Sequence, residues 1–194
     1  MNNNISVKRM TIISFGVALN IIGAFIALGL RLPIYLDSVG TIMVAALLGP
    51  KYAVMTGLCG SIISGMTFDI YSLYFAPVQI STGLLAGLMY KNNLLKGFKT
   101  PIGVFIFVLP TSILSSIIAA GVFGGITSSG SSYIVQILSA FGLNKVVSVF
   151  ITQIFTDYAD KFIGVLLVNI GISSLPAKYK LEINNYSDRG ELHG

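Results

Sequence analysis

Apolar residues run in long blocks along this chain, and most of the charged ones fall in the short gaps between them. Residues 11–30, 52–66, 74–90, 101–122 and 162–175 form five such blocks, and residues 39–49 form a shorter sixth. A helix needs about 20 apolar residues to cross a bilayer core. The pattern therefore predicts an all-α, polytopic membrane bundle of six transmembrane helices over residues 10–175, between polar segments at 1–9 and 176–194. The first block follows Lys8 and Arg9 as a signal peptide would. Its length, the lack of a small-residue cleavage site before Arg31 and the blocks that follow make it the first retained span. Pro33 disfavours helix at Leu32, so "LPIYLDSVGT" (residues 32–41) is a connection, with Asp37 or Ser38 placed to cap the next helix. That helix, residues 39–49, would rise only ~17 Å. It is too short to cross unless residues 34–38 also lie within the membrane. Pro50 suits a helix start, and Pro110 is expected to kink the fifth span. Residues 121–158 leave two readings open. Either an external helix precedes a long, tilted sixth span, or the stretch hides a seventh span.

Composition narrows the function. With 54% apolar and 10% charged residues, little is left for a soluble domain, and most soluble enzymes are excluded. The net charge of +5 matters through its sidedness. With six spans and an internal N-terminus, Lys8, Arg9, Lys51, Lys91, Lys96, Lys99, Lys178, Lys180 and Arg189 lie inside. Only Arg31, Lys145 and Lys161 lie outside, which is nine basic residues against three. This is the bias of the positive-inside rule, and it predicts cytoplasmic termini. A seventh span would move Lys178 and Lys180 outside. The basic balance thus reflects orientation in a lipid bilayer. No Lys/Arg stripe interleaved with aromatics suggests nucleic acid. One cysteine, Cys59, and one histidine, His193, make a disulfide or a metal site untenable. Neither a Walker A loop nor an HExxH or GxSxG motif is present. We expect no enzyme, no bound cofactor and no metal.

Ionisable groups at membrane depth are functional candidates by default, because burying them there is costly. Four groups qualify for substrate binding: Arg31, Asp37, Ser38 and Thr41; Asp69, Tyr71, Tyr74 and Gln79; Asn144, Lys145 and Gln153; and Asp157, Tyr158, Asp160 and Lys161 at the outer end of the last span. Six spans place all four on the outer side, as a cup walled by aromatics with a few polar groups. Each group also has a plain structural reading. Asp37 and Ser38 can be helix caps, Asp69 a cap or a partner of Arg31, and Lys161 an i,i+4 partner of Asp157. Asp157 and Asp160 can complement a helix N-terminus, and the tyrosines can be interface aromatics. Small residues four apart, including Ser14/Ala18, Gly23/Ala27, Gly57/Ser61 and Gly83/Gly87, permit close helix approach in lipid. They serve either packing within the bundle or, on the first span, docking to another membrane protein.

Several stretches together resemble the substrate-binding S component of energy-coupling factor (ECF) vitamin transporters. They are the basic N-terminus before a small-residue-rich span, "LPIYLDSVGT", the hairpin "ALLGPKYAVMTGLCGSI", "YFAPVQISTGLLAGLMY" and "DYADKFIGVLLVNI". The likeness covers residues 8–175. The family's first-span Ala-x-x-x-Ala motif has Ser14-x-x-x-Ala18 as its nearest match, and Gly23 and Ala27 are the further docking candidates on this span. The resemblance implies an S component of an ECF-type ABC transporter in a bacterial plasma membrane. Such a subunit takes up a vitamin or related micronutrient with a transmembrane T component and two cytoplasmic ATPases that bind the ATP. The alternative is a membrane sensor or accessory subunit with the same cup and no translocation.

Overall fold

The computed structural model describes residues 7–174. The polar tail expected at 176–194, with His193 and three of the basic residues counted above, lies outside them. Among the described residues the fold is all helical. Its order is α1 (Val7–Gly29), α2 (Val39–Leu48), α3 (Pro50–Thr67), α4 (Ile70–Tyr74), α5 (Ala76–Lys91), a 3₁₀ turn (Gly97–Lys99), α6 (Thr100–Gly121), α7 (Ser131–Ala140) and α8 (Lys145–Ser173). Two helical segments, Val7–Gly29 and Gly97–Gly121, are long and apolar enough to cross a membrane by length and composition. Residues 121–158 resolve into the first of the two expected arrangements: the short α7, followed by one uninterrupted helix of 29 residues. That helix rises ~43 Å.

The shortest of the apolar blocks sits at the centre. α2 packs against α1, α3, α5 and α8, and Thr41, Ile42 and Val44 are fully enclosed. Around it lie Ala53, Ala86, Val104, Phe107, Val108 and Val165, from α3, α5, α6 and α8. The outer surface of the bundle is correspondingly apolar. Phe25, Ile102, Phe105, Ile117, Phe155 and Ile170 are all exposed. Apolar groups outside and polar groups inside reverse the pattern of a water-soluble domain.

Small residues set the helix separations. A Cβ on Gly40 of α2 would collide with the carbonyl oxygen of Gly16 in α1. A Cβ on Gly83 would come within 2.7 Å of the Ala53 backbone, and one on Gly87 within 2.5 Å of Pro50. The Gly83/Gly87 pair therefore brings α5 onto α3. On α1 the pairs divide. Gly23 and Ala27 face inward, Gly23 against the carbonyl of Leu36, whereas Ser14 and Ala18 are on the exposed side.

The connection at residues 30–38 starts on the surface, where Leu30, Arg31 and Pro33 are exposed, and then turns back into the bundle. The contact of Leu36 with Gly23, six residues before the end of α1, means that the connection doubles back beside α1 by ~9 Å. Only after this return does the ten-residue α2 begin. The N-terminus of α2 is capped from another helix: Asn20 Oδ1 of α1 accepts from Gly40 N (2.8 Å) and Thr41 N (3.2 Å), and its Nδ2 donates to Thr41 Oγ1 (2.8 Å). This differs from the expected cap by Asp37 or Ser38. Ser38 occupies the cap position, but its side chain makes no capping bond and reaches α8 instead. An interhelical cap prevails because Asn20 is held rigidly on α1 and buried to 2% exposure.

Asn20→Ala should leave two N–H groups of α2 unpaired inside the bundle, a loss of roughly 1–3 kcal/mol. Thermal unfolding of the purified chain in detergent would show the lower melting point. An unchanged one would remove Asn20 from this role.

Candidate functional site

Asp157, Asp160 and Lys161 form an ionic cluster near the middle of α8. The expectation placed them at the outer end of the last span, whose apolar block begins at residue 162. α8 begins at Lys145 instead, so the cluster is interior, and complementing a helix N-terminus cannot explain its acids. The three residues are only 5%, 2% and 3% exposed. Lys161 Nζ donates to Asp160 Oδ2 at 3.0 Å and lies 3.9 Å from Asp157 Oδ1, one turn earlier. Each carboxylate is also held by a different element. Asp157 Oδ2 accepts from Ser112 Oγ (2.9 Å) and Ser115 Oγ (3.0 Å) of α6. Asp160 accepts from the backbone N–H of Leu36 (2.7 Å) and from Ser38 Oγ (3.3 Å) in the returning connection. Leu36 has φ +53°, a left-handed conformation costing a non-glycine residue about 1 kcal/mol. The bond to Asp160 helps hold it there.

Beside this cluster is a cavity of about 20 Å³, lined by Tyr35, Asp37, Ser72, Phe75, Val78, Gln79, Ser115, Gln153, Asp157 and Lys161. In this form it has room for about one water molecule. Its lining comes from the 30–38 connection, α4, α5, α6 and α8, with Phe75 at the junction of α4 and α5. Gln79 Nε2 donates to the carbonyl of Asp37 at 3.3 Å, while its Oε1 is buried without a partner. Behind Phe75 an aromatic group closes the site: Phe123 stacks nearly parallel to Phe75 at 6.3 Å and meets Tyr71 at 4.7 Å and Tyr74 at 5.1 Å. Tyr35 lies 6.3 Å from Phe75, with its hydroxyl 3.0 Å from Thr127 Oγ1.

The candidates named from sequence therefore separate. Asp37, Gln79, Gln153, Asp157 and Lys161 meet at the cavity. Ser38 and Asp160 lie directly behind it. Thr41 is bound to Asn20. Asp69 is buried and accepts from Ser72 Oγ at 2.9 Å. Arg31 does not pair with Asp69. It is exposed and donates to Tyr133 Oη at 2.9 Å. Tyr158 stacks on Phe162 and donates to the carbonyl of Pro101 at 3.4 Å, apart from the cavity. Asn144 caps α8 through Val146 N (2.9 Å), and Lys145 is exposed near Gly124 and Gly125. Ser72, Ser112, Ser115 and Phe75 were not named from sequence as binding residues. Ser112 and Ser115 sit in an apolar block where a lone hydroxyl bonds readily to its own helix, and only the fold shows these two α6 hydroxyls aimed at Asp157.

The basic residues also divide by end. Lys8, Arg9, Lys51, Lys91, Lys96 and Lys99 belong to the N-terminus of α1, the α2–α3 turn, and the α5–α6 connection. These elements meet: Arg9 donates to Tyr52 Oη (3.1 Å), Tyr90 Oη to Asn169 Oδ1 (3.1 Å), and Asn169 Nδ2 to the Leu95 carbonyl (2.8 Å). The four described acids, Asp37, Asp69, Asp157 and Asp160, are all in the other half.

An apolar exterior, one basic end and a polar interior towards the opposite end describe a membrane helical bundle with an internal polar site. The chain belongs to the ECF transporter substrate-specific component family, whose model matches residues 8–177. It is thus a transporter's substrate-binding subunit, from a family of membrane components and not of enzymes. No curated protein and no solved structure matches it significantly.

Lys161→Met should destabilise the bundle by roughly 3–5 kcal/mol, because it leaves two buried carboxylates uncompensated. Adding Asp160→Asn should restore part of that loss in detergent melting experiments. Single and double variants melting alike would show that the cluster carries no net ionic coupling.

Proposed function

We propose that this chain is the S component of an ECF-type ABC importer in a bacterial plasma membrane. It binds a vitamin or related micronutrient from outside, with high affinity, in the cavity between Asp37, Gln79, Asp157 and Lys161. It then docks on a transmembrane T component driven by two cytoplasmic ATPases, which bind the ATP. The observation that carries this reading is the cavity itself. Its polar groups are gathered from the returning connection, α4, α5, α6 and α8, at the end opposite the basic residues, inside a chain of the substrate-specific component family. Ligand-sized pockets measure about 300–1,000 Å³, so binding widens the cavity. Much of its wall is suited to that movement: Tyr35 and Asp37 are in a non-helical segment, Ser72 is in a five-residue helix and Phe75 is at a helix junction.

Six membrane segments, α1, α2 with its returning connection, α3, α5, α6 and α8, give cytoplasmic termini and put the basic end inside. On the exposed side of α1, Ser14 and Ala18 leave a low surface for a T component, whereas Gly23 and Ala27 are taken up by packing within the chain.

Two experiments test this reading. In a Cys59→Ser background, Phe98→Cys should react with an impermeant thiol reagent only from inside, and Phe141→Cys only from outside, since both positions are fully or largely exposed. The reverse pattern would sink the orientation. Reconstituted alone, the chain should retain a small molecule identifiable by mass spectrometry without accumulating it in vesicles. ATP-dependent uptake should appear only with a T component and its ATPases. Uptake by the isolated chain on a proton or sodium gradient would instead make it a secondary carrier.

A further inference from the structure

The cavity is unbalanced in what it offers a ligand. Most of its donors are already committed. Ser72 Oγ donates to Asp69 (2.9 Å), Ser115 Oγ to Asp157 (3.0 Å) and Gln79 Nε2 to the Asp37 carbonyl (3.3 Å), and of the three N–H groups of Lys161 one goes to Asp160 (3.0 Å), with Asp157 a further 3.9 Å ion-pair partner. The Tyr35 hydroxyl is paired with Thr127. The acceptors are different. Gln79 Oε1 has no partner although the residue is only 4% exposed. Flipping that amide would set its oxygen against the Asp37 carbonyl oxygen, so the present orientation is the favourable one. The Asp37 carboxylate lines the cavity, while the ion pairs of Lys161 go to Asp157 and Asp160. Only the Gln153 amide offers both a donor and an acceptor.

Charge points the same way. Asp37, Asp157 and Asp160 surround one ammonium group, that of Lys161, and Asp160 already holds it closely. An anion entering here would face carboxylates, with its only cation engaged. A buried acceptor left unpaired costs about 1–3 kcal/mol, so a ligand supplying donors gains from Gln79 and Asp37 together. The wall formed by Phe75 and Tyr35 suits a flat ring and can face a cation with its π surface.

We infer that the ligand of this site is a flat, nitrogen-containing ring that carries N–H donors and a positive charge, held by the Asp37 carboxylate and Gln79 Oε1. This inference rests on the proposed placement of the substrate in the cavity. Asp37 supplies the counter-charge, Gln79 accepts a ring or exocyclic N–H, and Phe75 stacks on the ring. Lys161 holds Asp157 and Asp160 in place and is not the ligand's own partner.

The test uses the full chain in detergent, freed of co-purified small molecules, with two sets of probes at millimolar concentration. The first set is thiamine, 4-amino-5-hydroxymethyl-2-methylpyrimidine and pyridoxamine, and the second is pantothenate, biotin and nicotinate. At least one of the first set should raise the melting temperature, and none of the second should. Calorimetric affinity for the stabilising compound should fall about 10- to 100-fold in Asp37→Asn and in Gln79→Leu, the range of a charge-assisted hydrogen bond. Asp37→Glu should restore most of it. The melting point of unliganded Asp37→Asn separates lost binding from misfolding: the Asp37 carboxylate is attracted to Lys161 but, among the described residues, lies in no ion pair within 4.0 Å, so its variant should melt closer to the parent chain than Lys161→Met does. Stabilisation by an anionic probe, by neither set, or unweakened binding in Asp37→Asn would overturn the inference. None of these results touches the transport role. That role fails separately, if whatever the chain binds is never taken up with a T component and ATPases.

Discussion

Non-helical backbone inside an apolar bundle must find hydrogen-bond partners among side chains, since neither lipid nor bulk water can supply them. Much of the polar chemistry of this chain follows from that constraint. The 30–38 connection folds back beside α1, and its exposed N–H and C=O groups have to be met there. Asp160 meets Leu36 N, Gln79 meets the Asp37 carbonyl, and Gly130 N together with Ser129 Oγ meets the Leu32 carbonyl. Asn20 then takes the first free N–H groups of α2. Each partner comes from a different part of the chain. The connection therefore gathers α1, α5, α8 and the segment before α7 around itself.

This constraint also sorts structural polar groups from available ones. Asp160, Ser38, Asn20 and Thr41 are fully engaged in holding backbone or one another. Replacing any of them disturbs the fold before it disturbs a ligand. Lys161 is needed because two buried carboxylates one turn apart in α8 are costly in an apolar setting without a cation between them. What remains for a ligand at the cavity is small: the Gln79 oxygen, which has no partner, the Gln153 amide, and the Asp37 carboxylate, which shares the attraction of Lys161 without pairing closely with it. They adjoin one another because the same return of the chain that engages their neighbours leaves them facing inward.

The outline of the fold was legible in the sequence, and the reasons for the exceptions are physical. Blocks of apolar residues mark α1, α3, α5 and α6 closely. The shortness of residues 39–49 raised the condition that residues 34–38 lie within the membrane, and in the fold Leu36 packs back against Gly23 of α1. The start of α8 was not legible, because Ser148, Thr152, Gln153 and Thr156 interrupt the apolar pattern. Three of these hydroxyls bond back to their own helix and so cost little inside it. Asn20 was overlooked although it carried the same signal as the charged residues, a polar group in the middle of an apolar block. The polar candidates were drawn too widely, since side of the membrane is only a coarse coordinate. Arg31, Asn144, Lys145 and Tyr158 share a side or an element with the cavity without lining it. Depth and facing decide membership, and both depend on how far the connection returns.

The cavity's position has a mechanical consequence. Its walls belong to segments held together at that end by hydrogen bonds and ring contacts more than by continuous helix. The connection and the α4–α5 junction meet at Gln79 and Asp37, and the connection and α8 meet at Asp160. A ligand entering between them must part the first contact while leaving the second in place, because Asp160 and Lys161 lock the connection to α8 from behind. Opening is thus confined to one side, at the Phe75, Tyr71 and Phe123 rings, whose contacts are apolar and break without exposing backbone groups. The opposite end, where Asn169 joins Tyr90 to the Leu95 carbonyl, has its own polar ties and shares no residue with the cavity. On the proposed placement of the substrate, widening of the site would therefore break none of the polar ties that close the basic end.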